Sequence, residues 1–508
     1  MNDIKSSESP TQNSYVQILK STTLVGGSQV INILISIVRT KFMAVLLGPA
    51  GVGLMGMYQA VTGMMGVVTG LGIGSSGVRQ IAEATGSGDK VRIAKTVFVL
   101  RRTALVLGIA GMFVSISFSK PLSHVTFRSE DYSWGIALLG VTLLLGSISS
   151  GQVALIQGMR RIADLASLNI IGAALGTALS IPTIYIWGEA GIVPSLIMVS
   201  AMTILPSWWY ARRIEVPMVS LSIKEVMMEA KSLVALGLVF MASSLMTTAV
   251  LYLIRVLVVR NLGMESVGLY QAAANLSSFY IGVVLNAMGM DFYPRLTAVA
   301  NDNDTINRLV NEQTEIGLLV ATPGILATLI FAPYVIQIFY SSKFLLAYNV
   351  LRWQILGVFL RVVAWPIGFV LLAKGKGKAF FLTELIWNAI HVILVWFGLN
   401  LFSLEGAGIA FFLLYVTYTP GIFAVVHHIT GFEWSSANIR LGLCFTIIVA
   451  FAFLLPFLLQ KHVAMLVNGF LTVAVTFWCL RRIYQLVGPA WFTKVRVKVK
   501  HRLGFLGQ

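Results

Sequence analysis

Charge is what this sequence has least of. Asp, Glu, Lys and Arg make up 11% of its 508 residues, against about 25% in an average soluble domain. So little charge cannot build a water-facing surface, and lipid is the solvent this chain is made for. Its two cysteines, Cys444 and Cys479, sit in apolar runs and exclude a disulfide framework or a cysteine metal site. No glycine-rich loop ends in Lys-Ser/Thr, so ATP hydrolysis by this chain is not expected. Alternating ten-residue segments are missing, which excludes an outer-membrane barrel. Long loops are missing as well. The longest, around 212–231 and 298–312, are too short for the catalytic domain of a membrane glycosyltransferase or polymerase. Covalent chemistry, a cofactor and a metal site are therefore not expected.

Apolar stretches are present in abundance. Hydrophobic residues make up 57% of the chain and recur in runs of about 20, the length that spans a bilayer as a helix. Fourteen such spans can be counted, near 18–47, 54–82, 95–119, 132–158, 165–187, 190–211, 232–261, 268–297, 313–340, 345–373, 379–402, 407–429, 437–460 and 462–483. The fold class is therefore an all-α polytopic membrane protein. The net charge of +17 sets orientation rather than marking a nucleic-acid binder. Lys90, Arg92, Lys95, Arg160, Arg161, Arg212, Arg213, Lys374, Lys376 and Lys378 fall in one set of loops, and the opposite set is poor in basic residues. The positive-inside rule then places both termini in the cytoplasm. Met1 to Asn13 is polar and shows no secretory cleavage pattern. The basic tail after Gly488-Pro489 reads as a topology anchor, or as a ligand for anionic headgroups.

The sequence repeats itself. Leu47-Gly48 and Val52-Gly53-Leu54 recur as Leu262-Gly263 and Val267-Gly268-Leu269, 215 residues later. Gly188-Glu189-Ala190-Gly191-Ile192 resembles Glu405-Gly406-Ala407-Gly408-Ile409, 217 residues later. Two matches so far apart at nearly one offset argue for a duplicated unit of six spans. An even span number makes the halves parallel, related by an axis along the membrane normal, with the substrate site expected between them. The implied organisation is a cytoplasmic lead (1–14), an N-terminal lobe (15–215), a linker (216–231), a C-terminal lobe (232–430), two additional helices (431–484) and a basic tail (485–508).

Several spans carry one polar stripe. Gln29, Asn32, Ser36 and Arg39 share a helical face. Ser244, Thr248 and Arg255 form another, Gln271 and Asn275 a third, Gln354 and Arg361 a fourth, and Glu384, Asn388 and His391 a fifth. Amides and hydroxyls in spans serve often as interhelical glue, and an internal ion pair with Asp291 or Glu384 would neutralise an arginine. The alternative is a cavity, because charges deep in spans face bundle interiors or water. Guanidinium is a planar, permanently charged fork that grips phosphate oxygens in pairs. Arg39, Arg255 and Arg361 are thus candidates for an anionic diphosphate, and Gln29, Asn32, Gln271, Asn275 and Asn388 for sugar hydroxyls. Asp291, Glu384 and His391 are the titratable candidates for ion coupling. Arg260 and Arg352 lie nearer the outer ends, where snorkelling is expected.

The string Lys41-Phe42-Met43-Ala44 leads into Leu47-Gly48-Pro49-Ala50-Gly51-Val52-Gly53-Leu54. Asp291-Phe292-Tyr293-Pro294-Arg295-Leu296 follows later, then Ser342-Lys343-Phe344 and Trp353-Gln354-Ile355-Leu356-Gly357. With these the chain resembles the bacterial polysaccharide flippases, the O-antigen and enterobacterial-common-antigen translocases of the multidrug/oligosaccharidyl-lipid/polysaccharide exporter superfamily. The resemblance covers roughly Tyr15 to Thr430. It implies an inner-membrane protein of two six-helix lobes around a V-shaped cavity. It implies alternating access for an undecaprenyl-diphosphate-linked oligosaccharide, with a polysaccharide polymerase and chain-length regulator as further partners. A multidrug or cation antiporter of the same superfamily is the competing reading, and deep arginines in place of deep acids argue against it.

Overall fold

The computed structural model describes residues 10–217 and 219–487, with side chains from Gln29 onwards except at 280, 283, 286, 287, 290, 291 and 461. The helices are α1 (Pro10–Gly70), α2 (Ile73–Gly86), α3 (Lys90–Ser117), α4 (Ser119–Phe127), α5 (Ser133–Gly158), α6 (Ile162–Trp187) and α7 (Ile192–Ala211). They continue as α8 (Ile223–Ala298), α9 (Asn303–Phe339), α10 (Ala347–Ala373), α11 (Gly377–Phe402), α12 (Glu405–Thr430), α13 (Ser436–Leu458) and α14 (Lys461–Val487). Among the described residues, eleven continuous helical stretches are long and apolar enough to cross a bilayer. Three of them, Gln29–Gly70, Ile162–Ala211 and Ile223–Phe279, run to 42, 50 and 57 residues. At 1.5 Å per residue each is about two bilayers long. Each of these three is thus long enough for two crossings, which is compatible with the fourteen spans expected from the sequence.

Backbone geometry explains the joins. Gly48 (φ 66°, ψ −172°) divides α1, and Gly263 (φ 82°, ψ 178°) divides α8. That region of backbone space is essentially reserved for glycine. Pro49 then opens the second span of α1 with a preset φ and no amide hydrogen to satisfy. The two kinks are 215 residues apart, as the repeat requires. Two further pairs of left-handed residues keep the same spacing: Arg160 with Gly375 and Gly188 with Ser403. The α5–α6 turn, with Met159, Arg160 and Arg161 amides donating to Leu155, Gln157 and Ile156, is repeated by Lys374, Gly375 and Lys376 donating to Val370, Leu372 and Leu371. Helices α6 and α11 correspond end to end. The backbone register at these kinks and turns is thus 215, and Gly191 corresponds to Gly406, two residues before the sequence match at Gly408.

Packing divides the chain into two units. The first runs to Gly268 and includes 339–343, and the second comprises 269–338 and the chain from Phe344 onwards. Within the first, Ile73, Ile81, Leu100, Leu155 and Ile156 form a closed core. The first span of α8 packs here at glycines. A Cβ on Gly53 would lie 2.2 Å from the Met264 carbonyl oxygen, and one on Gly237 would lie 2.3 Å from that of Leu71. Thr126 and Tyr252 hydroxyls meet at 2.7 Å, and Arg260 donates to the Val125 carbonyl, so α4 also holds this span. The expected span 54–82 is not continuous, because Leu71 and Gly72 both turn left-handed and break it before α2.

Within the second unit, Phe292, Leu296, Ile306, Val310, Ile367 and Leu371 are buried together. Helices α13 and α14 are fastened to it by polar contacts. Asn438 donates to the Asn311 carbonyl at 2.8 Å, and Arg482 pairs with Glu315 at 3.0 Å.

Candidate functional site

Asn32 and Arg39 lie two helical turns apart, on one face of the first span of α1. The Asn32 Oδ1 and Arg39 Nη2 atoms are both buried and have no hydrogen-bond partner among the described residues. Buried polar atoms are nearly always bonded, so an open donor and an open acceptor on one face of a span are unusual. Gln29 and Ser36, on the same stripe, are exposed. Arg255, on the first span of α8, donates to the Gly56 carbonyl at 3.4 Å and is partly buried. Ser244 lines a second feature of this unit, a cavity of about 300 Å³ walled by small residues such as Gly66, Thr69, Gly72, Gly146 and Ser150.

In the second unit the structure brings three of the expected residues together. Arg361 of α10, Glu384 and Asn388 of α11 line one cavity of about 260 Å³. Trp365, Trp387, Tyr415 and Tyr418 complete its wall. Tyr418 donates to Glu384 Oε1 at 3.2 Å. Arg361 makes no hydrogen bond or ion pair with any described residue, so it and Glu384 share a cavity without closing on each other. His391 lies outside that wall, buried with 8% exposure, its ring 5.9 Å from Phe411. Gln271 is partly buried with an unbonded Oε1, and Asn275 is exposed. The Asp291 side chain lies outside the described residues. The polar stripes alone do not reveal the four aromatic residues of the cavity. Their spacing carried the signal: Trp365 follows Arg361 by one turn, Trp387 follows Glu384 by three residues, and Tyr418 follows Tyr415 by three.

The family model described as "Polysaccharide biosynthesis protein" matches residues 42–349. The chain belongs to this family. Among its relatives, the lipid III flippase of Escherichia coli (strain K12) is 21% identical over 406 residues, covering 79% of this chain and 96% of that protein. Two solved structures share the fold. A multidrug resistance MATE family transporter of the MOP superfamily, in an inward-facing conformation, superposes with a TM-score of 0.66 at 15% identity, covering 81% of this chain and 96% of that one. The lipid II flippase MurJ, in an inward closed conformation, gives 0.65 at 15% identity, covering 92% and 99%. This polysaccharide biosynthesis protein therefore has the polytopic all-α architecture expected from its sequence.

Proposed function

We propose that this protein is a flippase for a lipid-linked oligosaccharide. It carries an undecaprenyl-diphosphate-linked sugar unit from the cytoplasmic to the periplasmic leaflet of the inner membrane by alternating access, and makes or breaks no covalent bond. The lipid III flippase, matched over nearly its whole length, supports the substrate class. The observation that carries the reading is Arg39, a permanently charged fork in a membrane span whose Nη2 is buried without a partner among the described residues. Such charges mark substrate pathways, and the fork matches diphosphate oxygens. Arg255 is the second diphosphate candidate, and Asn32 and Gln271 offer open amide oxygens to sugar hydroxyls. The 215-residue register supports two homologous lobes of six spans, 15–215 and 232–430. The loop charges support cytoplasmic termini. Moving one net charge through 100 mV yields about 2.3 kcal/mol, so the membrane potential or a cation gradient can drive the cycle, with Asp291 and His391 as coupling groups. A polymerase and chain-length regulator would take the delivered unit.

The test is complementation of a strain lacking its own flippase. Arg39→Ala should abolish most surface polysaccharide at normal protein level, and Arg39→Lys should restore part of it by keeping the charge without the fork. Full activity of Arg39→Ala would remove the proposed diphosphate contact.

A further inference from the structure

The internal repeat supplies a control for the charged cavity of the second unit. In the 215-residue register, Arg361, Glu384, Trp387 and Tyr418 correspond to Gly146, Asn169, Gly172 and Thr203 of the first half. Trp365 and Tyr415 correspond to Ser150 and Ser200. Helices α6 and α7 pack on each other as α11 and α12 do, yet the first pair needs neither charge nor aromatic ring at these positions. The fold therefore does not require them. The accommodation is specific as well. A Cβ on Gly421 would lie 2.2 Å from the Trp387 ring, so glycine makes room for the indole against α12. In the first half the sizes are exchanged: glycine stands at 172 and Pro206 faces it from α7.

We infer that this cavity, walled by Arg361, Trp365, Glu384, Trp387, Tyr415 and Tyr418, is a subsite for one pyranose ring of the transported glycan. The inference rests on the flippase reading above. Its chemistry follows from what each wall can do. Glu384 as a carboxylate only accepts hydrogen bonds, and Arg361 only donates them. A phosphate would satisfy Arg361 and be repelled by Glu384; a cation would do the reverse. Sugar hydroxyls donate and accept, so adjacent hydroxyls can serve both groups at once. The C–H faces of the ring suit the faces of Trp387 and Trp365, which present apolar area with few torsions to immobilise. Under this inference Arg361 and Glu384 read sugar, and neither is needed for diphosphate binding or ion coupling.

The experiment measures binding to the purified full-length chain in nanodiscs by ligand-observed saturation-transfer NMR. The probes are methyl glycosides of glucose, N-acetylglucosamine, rhamnose and glucuronic acid, with undecaprenyl diphosphate measured separately. At least one glycoside should saturate with a dissociation constant in the millimolar range. Glu384→Gln, Tyr418→Phe and Gly421→Ala should each weaken it about tenfold, a change of about 1.4 kcal/mol, and leave undecaprenyl diphosphate binding within about twofold. Tyr418→Phe removes a single oxygen, so loss of folding does not explain its effect. Undecaprenyl diphosphate binding without saturation by any glycoside would overturn the sugar subsite and leave the flippase reading standing. Glycoside binding indifferent to all three variants would overturn it too. Binding of neither class would overturn the flippase reading, and the subsite with it.

Discussion

Neither arginine near an outer span end simply reaches for water: Arg260 is partly buried and donates to the Val125 carbonyl, and Arg352 is buried more deeply. Snorkelling was the expectation, but Arg352 is only 7% exposed. It donates to the Phe453 carbonyl and lies over the rings of Phe453 and Phe457 at 4.4 and 4.3 Å. Position along α10 alone suggests an escape to water. What buries the side chain is α13, and no feature of α10 announces which later helix will cover it. Arg352→Ala should destabilise the protein by about 2 kcal/mol, by stranding the Phe453 carbonyl and emptying an aromatic cage; thermal unfolding in detergent measures this. The candidate site was legible to a similar depth. Arg39, Arg361, Glu384 and Asn388 stood out because charge and amides are conspicuous in apolar spans. Trp365, Trp387, Tyr415 and Tyr418 did not, because only their helical spacing separates them from aromatic residues that face lipid.

At the scale of elements, two glycines make the hairpins. Gly48 and Gly263 occupy glycine-only backbone, and nothing crowds the position of an added Cβ. Gly48→Ala and Gly263→Ala should therefore each cost about 1–3 kcal/mol from strain alone. Gly53→Ala should be worse, because its Cβ would strike the Met264 carbonyl 2.2 Å away. Comparing the melting temperatures of the three variants separates strain from collision. The first repeat string exposed the register directly, since Gly48 and Gly263 are the kinks themselves. The second string ran two residues out of step, because the glycine that marks the turn in one half, Gly188, is matched by Ser403 in the other. Sequence similarity followed the small residues, whereas the backbone followed the turn. The break at Leu71-Gly72 did leave a trace in the sequence: Gly70, Gly72, Gly74 and Gly77 crowd the same short stretch, and Ser75, Ser76, Arg79 and Gln80 make it more polar.

For the whole molecule, eleven membrane-length apolar stretches among the described residues, a family match over residues 42–349 and the fold shared with MurJ and MATE transporters agree on a multi-pass transporter architecture. The two halves repeat two glycine kinks and two turns at a 215-residue spacing and differ in lining. Glycine and hydroxyl residues line the cavity at Ser244 in the first unit, which also has a second, charged cavity at Arg79, Glu83 and Glu229, while charge and aromatic rings together wall the cavity at Arg361 in the second. Function in this account lies in those differences and in the open guanidinium of Arg39, more than in the repeat they share. The most direct test reconstitutes the full-length protein in liposomes that hold an undecaprenyl-diphosphate-linked oligosaccharide in one leaflet, then follows its appearance in the other with a membrane-impermeant oxidant. Transfer should be faster than in protein-free vesicles and should be lost in Arg39→Ala. Transfer no faster than in protein-free vesicles, or equally fast with Arg39→Ala, would contradict the flippase reading.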